Sequence, residues 1–242
     1  VVVWFVLPDK PRDAKWLTPA ERDWLQKTID AEQHAVHAAH GVSLARVFGD
    51  WRVWGLSFVY FANTTTNLGL AFFLPQILKG LGLSTMQVGL YTAIPYTVGT
   101  IGILLWGYVS DRMNERRINL TLAMTLIGVG LIGAGMLGGS LVSVAFFSAA
   151  AIGIYGAKAP FWPLPSMFLS GSAAAAGIAM INALGNLGGF VGPYMVGWIK
   201  DSTGSFDAGI YTLSAFGFAA AAATLLVVRP GQGRARARSA AS

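Results

Sequence analysis

Charged residues fall in clusters along this chain, and long runs between the clusters contain none. Val53 to Leu78, Met86 to Ser110, Ile118 to Gly138, Ala173 to Ile199 and Ala208 to Val228 are each free of Asp, Glu, Lys and Arg. A sixth run, Val142 to Leu169, is broken by one charge, Lys158. A helix needs roughly 20 apolar residues to cross the hydrocarbon of a bilayer, so each run predicts a membrane-spanning helix. Lipid cannot satisfy exposed backbone groups, which leaves helices or closed barrels. Barrel strands alternate polar and apolar positions over about 10 residues, and these runs do not alternate. The expected fold is an all-α membrane protein with six transmembrane helices over 51–228.

Composition agrees with that pattern. Of 242 residues, 54% are hydrophobic and 12% charged, about half the charged share of a soluble domain. The net charge of +6 would suit a nucleic-acid partner, but its placement argues against one. If the chain crosses six times starting inside, one side holds the segment up to Arg52, the link Asp111 to Arg117 and the tail from Arg229. These carry seven, three and four Lys or Arg, fourteen of the seventeen. The other side holds Lys79 and Lys200. That asymmetry is the positive-inside bias. It predicts a multi-pass protein of the cell (inner) membrane with cytoplasmic central loop and C-terminus, and no nucleic-acid partner. With no cysteine in the chain, disulfide and thiolate chemistry are excluded.

Val1 to Leu7 (VVVWFVL) is apolar but too short to span. It reads as the end of a preceding transmembrane helix (1–7), which makes the chain the C-terminal part of a longer protein. Residues 8–50 form the expected cytoplasmic loop. Within it Thr18, Pro19 and Glu21 make a helix-starting capping box. Leu25, Ile29 and Val36, with Trp24, give an apolar stripe at helical spacing, and Gly41 is the expected stop. This predicts an amphipathic helix lying along the membrane face. His34, His37 and His40 recur on it without an acid or cysteine at ligand spacing, so no metal site is expected. The basic tail, 229–242, is suited to anionic headgroups or to solvent.

The link after the second run reads GYVSDRMNERR, Gly107 to Arg117. Gly107 allows close helix approach. Asp111 can pair with a cation or cap the next helix. Arg112, Arg116 and Arg117 hold the loop in the cytoplasm and can pair with acids of a neighbouring helix. This loop resembles the signature of the major facilitator superfamily, in the copy between helices 8 and 9. The stretches VLPDKPRDAKWLTPAERDWL, FFLPQILKGLGLS, PFWPLPSMFLSG and INALGNLGGFVGPYMVGWIKDSTGS resemble its anion:cation symporter family, whose members include phthalate, tartrate and sugar-acid permeases. The resemblance implies helices 7–12 of a twelve-helix fold, a 3+3 inverted repeat, and a missing N-terminal half that carries the proton-coupling acids and substrate arginine. It also implies secondary transport of a small organic anion, a carboxylate, by symport with an ion, H+ by the same resemblance.

Helical spacing marks candidate substrate-binding residues independently. At about 100° per residue, Tyr155, Lys158 and Trp162 share a face of the fourth expected helix. Tyr60, Asn63, Thr64 and Asn67 share one on the first, and Thr92, Tyr96 and Thr100 one on the second. Asn182 and Asn186 lie a turn apart on the fifth, and Gly185, Gly188 and Gly192 form a separate small-residue face suited to tight packing. Pro75, Pro95, Pro160, Pro163 and Pro193 each free a carbonyl and permit a bend. Together these stripes suggest a wet cavity; the other reading of the Asn and Thr groups is bonding between packed helices, and of Lys158, snorkelling to the headgroups. No expected span carries a His or an acid, so neither catalytic residues nor a cofactor are expected. The remaining alternative is an inactive or structural membrane fragment.

Overall fold

The computed structural model describes residues 14, 16–38, 44–169 and 171–228, and among them it contains helices and no strand. In chain order these are α1 (Pro19–Ala38), α2 (Leu44–Gly49), α3 (Trp51–Lys79), α4 (Thr85–Met113), α5 (Arg116–Met136), α6 (Ser143–Gly156), α7 (Lys158–Phe161), α8 (Pro165–Phe168), α9 (Gly171–Asn186), α10 (Gly188–Thr203) and α11 (Asp207–Val227). Residues 1–7, Gly41 and 229–242 lie outside the described residues, as do the side chains of His34, Val36, His37 and His40.

Local signals explain the helix ends. At α1, the Thr18 amide donates to the Glu21 carboxylate at 2.9 Å and the Glu21 amide to Thr18 Oγ1 at 3.4 Å. Ser84 and Gln87 make the same reciprocal cap on α4. Asp50 caps α3 by accepting from the Arg52 amide at 2.9 Å. Asn114 closes α4 in the left-handed region at φ 47°, a conformation that Asn tolerates better than most residues. On α1, Leu25 and Ile29 are half-buried, whereas Trp24 is exposed and stands off the packed side.

Five segments are long and apolar enough to cross a membrane: Thr85–Met113, Arg116–Met136, Ser143–Phe168, Ala173–Thr203 and Asp207–Val227. The first expected span, α3, is 29 residues long, about 43 Å at the helical rise, but its hydropathy is lower. The cause is the consecutive run Asn63, Thr64, Thr65, Thr66 and Asn67 in its middle, of which Asn63 to Thr66 are buried. Thr64 and Thr66 donate to the Tyr60 and Ala62 carbonyls at 2.9 and 3.0 Å, which satisfies their hydroxyls within the helix.

Two spans are broken. The fourth consists of α6 to α8 and is interrupted at Ala157 and again at 162–164; the fifth consists of α9 and α10 and is interrupted at Leu187. Pro160 and Pro163 accompany the first break. Pro75, Pro95 and Pro193 instead lie inside uninterrupted helices.

The main pairings are α3 with α9, α10 and α11, α4 with α6, α5 with α6, and α5 with α11. Exchanging the units 51–138 and 141–228 maps this set onto itself: α3 on α9–α10 becomes α6 on α4, α3 on α11 becomes α6 on α5, and α5 on α11 is unchanged. The repeat is thus present in the packing, although the two units show no clear sequence similarity. Each unit has three spans, so the second enters inverted.

Small residues make the closest pairings. A Cβ at Gly188 would strike the Phe61 carbonyl, and one at Gly192 the Thr65 carbonyl, while Gly185 lies against the Tyr60 ring. The glycine face of the fifth span is therefore seated on the backbone of α3. Ser214 ties α11 to α5 by donating to the Gly128 carbonyl at 2.9 Å.

Candidate functional site

The break in the fourth span presents Lys158 beside α3. A narrow cleft is lined by Tyr60, Asn63, Met124, Ala157, Lys158, Phe161 and Trp162. Four of the residues singled out by spacing thus meet: Lys158, Trp162, Tyr60 and Asn63. Their rings interlock. Tyr60 stacks on Phe161 with centroids 5.5 Å apart, and Trp162 meets Tyr60 and Phe161 edge-on at 5.1 and 5.3 Å. Lys158 Nζ lies 4.9 Å from the centre of the Tyr155 ring, within cation–π range. Tyr155 itself packs over Gly99 of α4. Among the described residues Lys158 has no acidic partner.

Asn63 is 4% exposed, and its Nδ2 donates to the Ile154 carbonyl at 3.1 Å. One of its two amide hydrogens is therefore committed to another helix. The other candidates do not line the cleft. Asn67 is half-buried further along α3, and Tyr96 lies on α4, where its carbonyl accepts from Thr100 at 2.8 Å. Asn182 and Asn186 are exposed on α9, and Asn186 Nδ2 donates to Asn182 Oδ1. They flank the glycine face that seats this helix on α3. Phe161 and Met124 line the cleft without having been singled out. Phe161 follows Lys158 by three positions and was legible as its helical neighbour; Met124 comes from α5, and nothing local to it pointed here.

The signature loop forms a cluster at the junction of α4 and α5. Arg116 Nη2 meets Asp111 Oδ1 at 2.6 Å, and its Nη1 donates to Ser110 Oγ at 3.0 Å. Asp111 thus pairs with a cation rather than capping α5, whose start has no side-chain cap. Arg117 does not meet an acid: its Nη2 donates to the Leu225 carbonyl, at 2.9 Å, in the last turn of α11, where the helix dipole favours a cation. Arg112 donates to the Tyr108 hydroxyl at 2.7 Å. A Cβ at Gly107 would lie 3.5 Å from Ala159, an ordinary contact, so in this conformation the helix approach does not demand glycine.

Comparison with known proteins gives these features a context. The major facilitator superfamily profile matches residues 1–193 and 56–241. A protein of Agrobacterium vitis named "Putative tartrate transporter" is 43% identical over 229 residues, 95% of this chain and 51% of its own length. A "Quinolone resistance transporter" of Acinetobacter baumannii is 35% identical over 86% of the chain and 48% of its own length. The "Inner membrane transport protein RhmT" of Escherichia coli (strain K12) is 32% identical over 89% of the chain and 50% of its own length. The chain spans about half the length of the curated relatives it matches. With helices suited to crossing a membrane several times, a packing that repeats after three spans, and a signature loop knitted by Asp111, Arg116 and Arg117, this chain belongs to the major facilitator superfamily.

Proposed function

We propose that the full-length protein is a secondary transporter that carries a small organic anion across the inner membrane by alternating access, in symport with protons. This chain supplies the C-terminal six-helix half, with 8–50 and the Asp111–Arg117 link in the cytoplasm. The substrate is a carboxylate of the tartrate type, the solute in the names of two relatives from Agrobacterium vitis.

The observation that carries this reading is the position of Lys158. A fixed charge at membrane depth costs several kcal/mol unless it is paired or hydrated. Lys158 has no acidic partner among the described residues and lines a cleft with Tyr60, Asn63 and Trp162. An anionic solute supplies the missing charge, and the ring faces offer apolar walls against its carbon skeleton. Asn67, Tyr96, Asn182 and Asn186 are assigned to the wider path between the two halves, where hydroxyl-bearing solutes need polar contacts. No covalent chemistry is involved, so no catalytic residue is assigned.

Lys158→Met in the full-length protein tests the reading. It keeps the stem and removes the charge. Binding of tartrate, measured in membrane vesicles, is expected to weaken at least about tenfold, which is about 1.4 kcal/mol, with unchanged membrane content. Lys158→Arg recovers only part of the affinity, because a planar guanidinium needs a different pocket. Normal tartrate uptake by Lys158→Met overturns the assignment of Lys158. Failure of the wild-type protein to take up any of a panel of organic anions overturns the substrate class.

A further inference from the structure

The break in the fourth span has an unusual partner. α6 ends at Gly156, Ala157 interrupts, and α7 starts at Lys158. Across the interruption, the amides of Ala157 and Phe161 donate to Gly153 and Ala157 at 3.0 and 3.1 Å. Pro160 has no amide to offer Gly156. The Ile154 carbonyl takes its bond from a side chain of another span, Asn63 Nδ2 at 3.1 Å. Both residues are buried, at 4% and 1% exposure. In an unbroken helix that carbonyl would belong to the amide four residues on, which is that of Lys158 itself.

We propose that Asn63 is a positioning residue: by holding the Ile154 carbonyl it keeps the turn before Lys158 from closing, and so fixes where the ammonium stands in the cleft. This rests on Lys158 being the anion-binding cation. A buried carbonyl without a donor is strongly disfavoured at membrane depth. When Asn63 is absent, the Lys158 amide is the donor in helical register, and the turn closes. Closure shifts the turn that carries Lys158 and Trp162 as one piece, and so moves the ammonium relative to Tyr60 of α3. One amide hydrogen of Asn63 is committed to Ile154, and that bond is the route by which Asn63 acts on Lys158.

The test reads the ammonium directly. Full-length protein in membrane vesicles is pulsed with acetic anhydride, and modification of Lys158 and of Lys200 is measured by mass spectrometry. Lys200 is partly exposed at the far end of α10 and serves as the internal control. Asn63→Ala is expected to slow Lys158 modification at least about fivefold, the equivalent of one buried hydrogen bond, with Lys200 unchanged. Asn63→Gln, which keeps an amide donor, restores most of the rate. Should the alanine variant fail to accumulate, Asn63→Leu, which has nearly the same shape, carries the same test.

A rate within about twofold of wild type in a variant that accumulates overturns the positioning role and leaves the anion site standing. Failure of both variants to accumulate also counts against it, since it marks Asn63 as a residue of folding. Lys158 inert in the wild-type protein while Lys200 reacts overturns the anion-binding reading itself, before any Asn63 variant is made.

Discussion

Arg116 reaches back over the turn that ends α4 and meets Asp111 at 2.6 Å, while its other Nη bonds Ser110. The pair is lopsided: the arginine side chain is 18% exposed and the aspartate 69%. An ion pair with one partner this open contributes about 0–1 kcal/mol. Asp111→Asn is therefore expected to leave folding and binding intact and to alter the balance between transport states. In the full-length protein, turnover falls by up to about fivefold, with KM within about twofold. Uptake kinetics at matched expression decide it, and an unchanged turnover removes the gating role.

The glycine seam gives a sharper expectation for stability. An added methyl at Gly188 or Gly192 meets a backbone carbonyl of α3, which cannot rotate away. Gly188→Ala and Gly192→Ala should each cost about 1–3 kcal/mol, as overpacking does, seen as a lower unfolding midpoint in detergent. Gly197→Ala is the control, since its Cβ would sit 3.5 Å from the Phe73 ring. Equal midpoints for all three variants would mean that the seam is not tight.

Orientation can be read from single cysteines, because the chain has none of its own. Cysteine at Glu32 or Glu115 should resist an impermeant maleimide in intact cells, and cysteine at Ser140 should react. Labelling at Glu115 from outside inverts the assignment.

Acid should loosen the start of α1 in a defined direction. The Glu21 carboxyl is held below its usual range, first by the Thr18 backbone N–H and then by the Thr18 hydroxyl. A lowered folded-state pKa contributes stability above the ordinary carboxylate range and loses it as the pH falls through the folded value. Divided by the intrinsic exchange rate at each pH, protection of the Glu21 and Arg22 amides should be highest at neutral pH and fall in acid. Thr18→Ala should lower that protection at neutral pH as well. A pH-independent wild-type protection would exclude the cap.

Most of the spans were legible because charge is so costly in lipid that it punctuates the sequence. The runs Met86 to Ser110 and Ala208 to Val228 differ from α4 and α11 by only a few residues at the ends. The breaks were less so. Pro160 signalled the one at Ala157, but Leu187 carries no such mark. Its neighbours Gly185 and Gly188 are instead fitted to α3, a tertiary demand that periodicity does not reveal. The same limit applies to the site. Helical spacing grouped Lys158 with Trp162, and Tyr60 with Asn63. It could not show that an amide hydrogen of Asn63 goes to Ile154, because a bond between residues 91 positions apart leaves no local trace. Nor could it place Arg117, whose partner is a carbonyl rather than an acid.

The exchange symmetry of the packing singles out two places. One is the pairing of α5 with α11, where Ser214 holds Gly128; the other is the contact of α3 with α6, where Asn63 holds Ile154. Each is its own counterpart when the two units are swapped. A line through both marks the approximate two-fold axis that relates the two units, and Lys158 stands four residues from it in sequence, counted from Ile154.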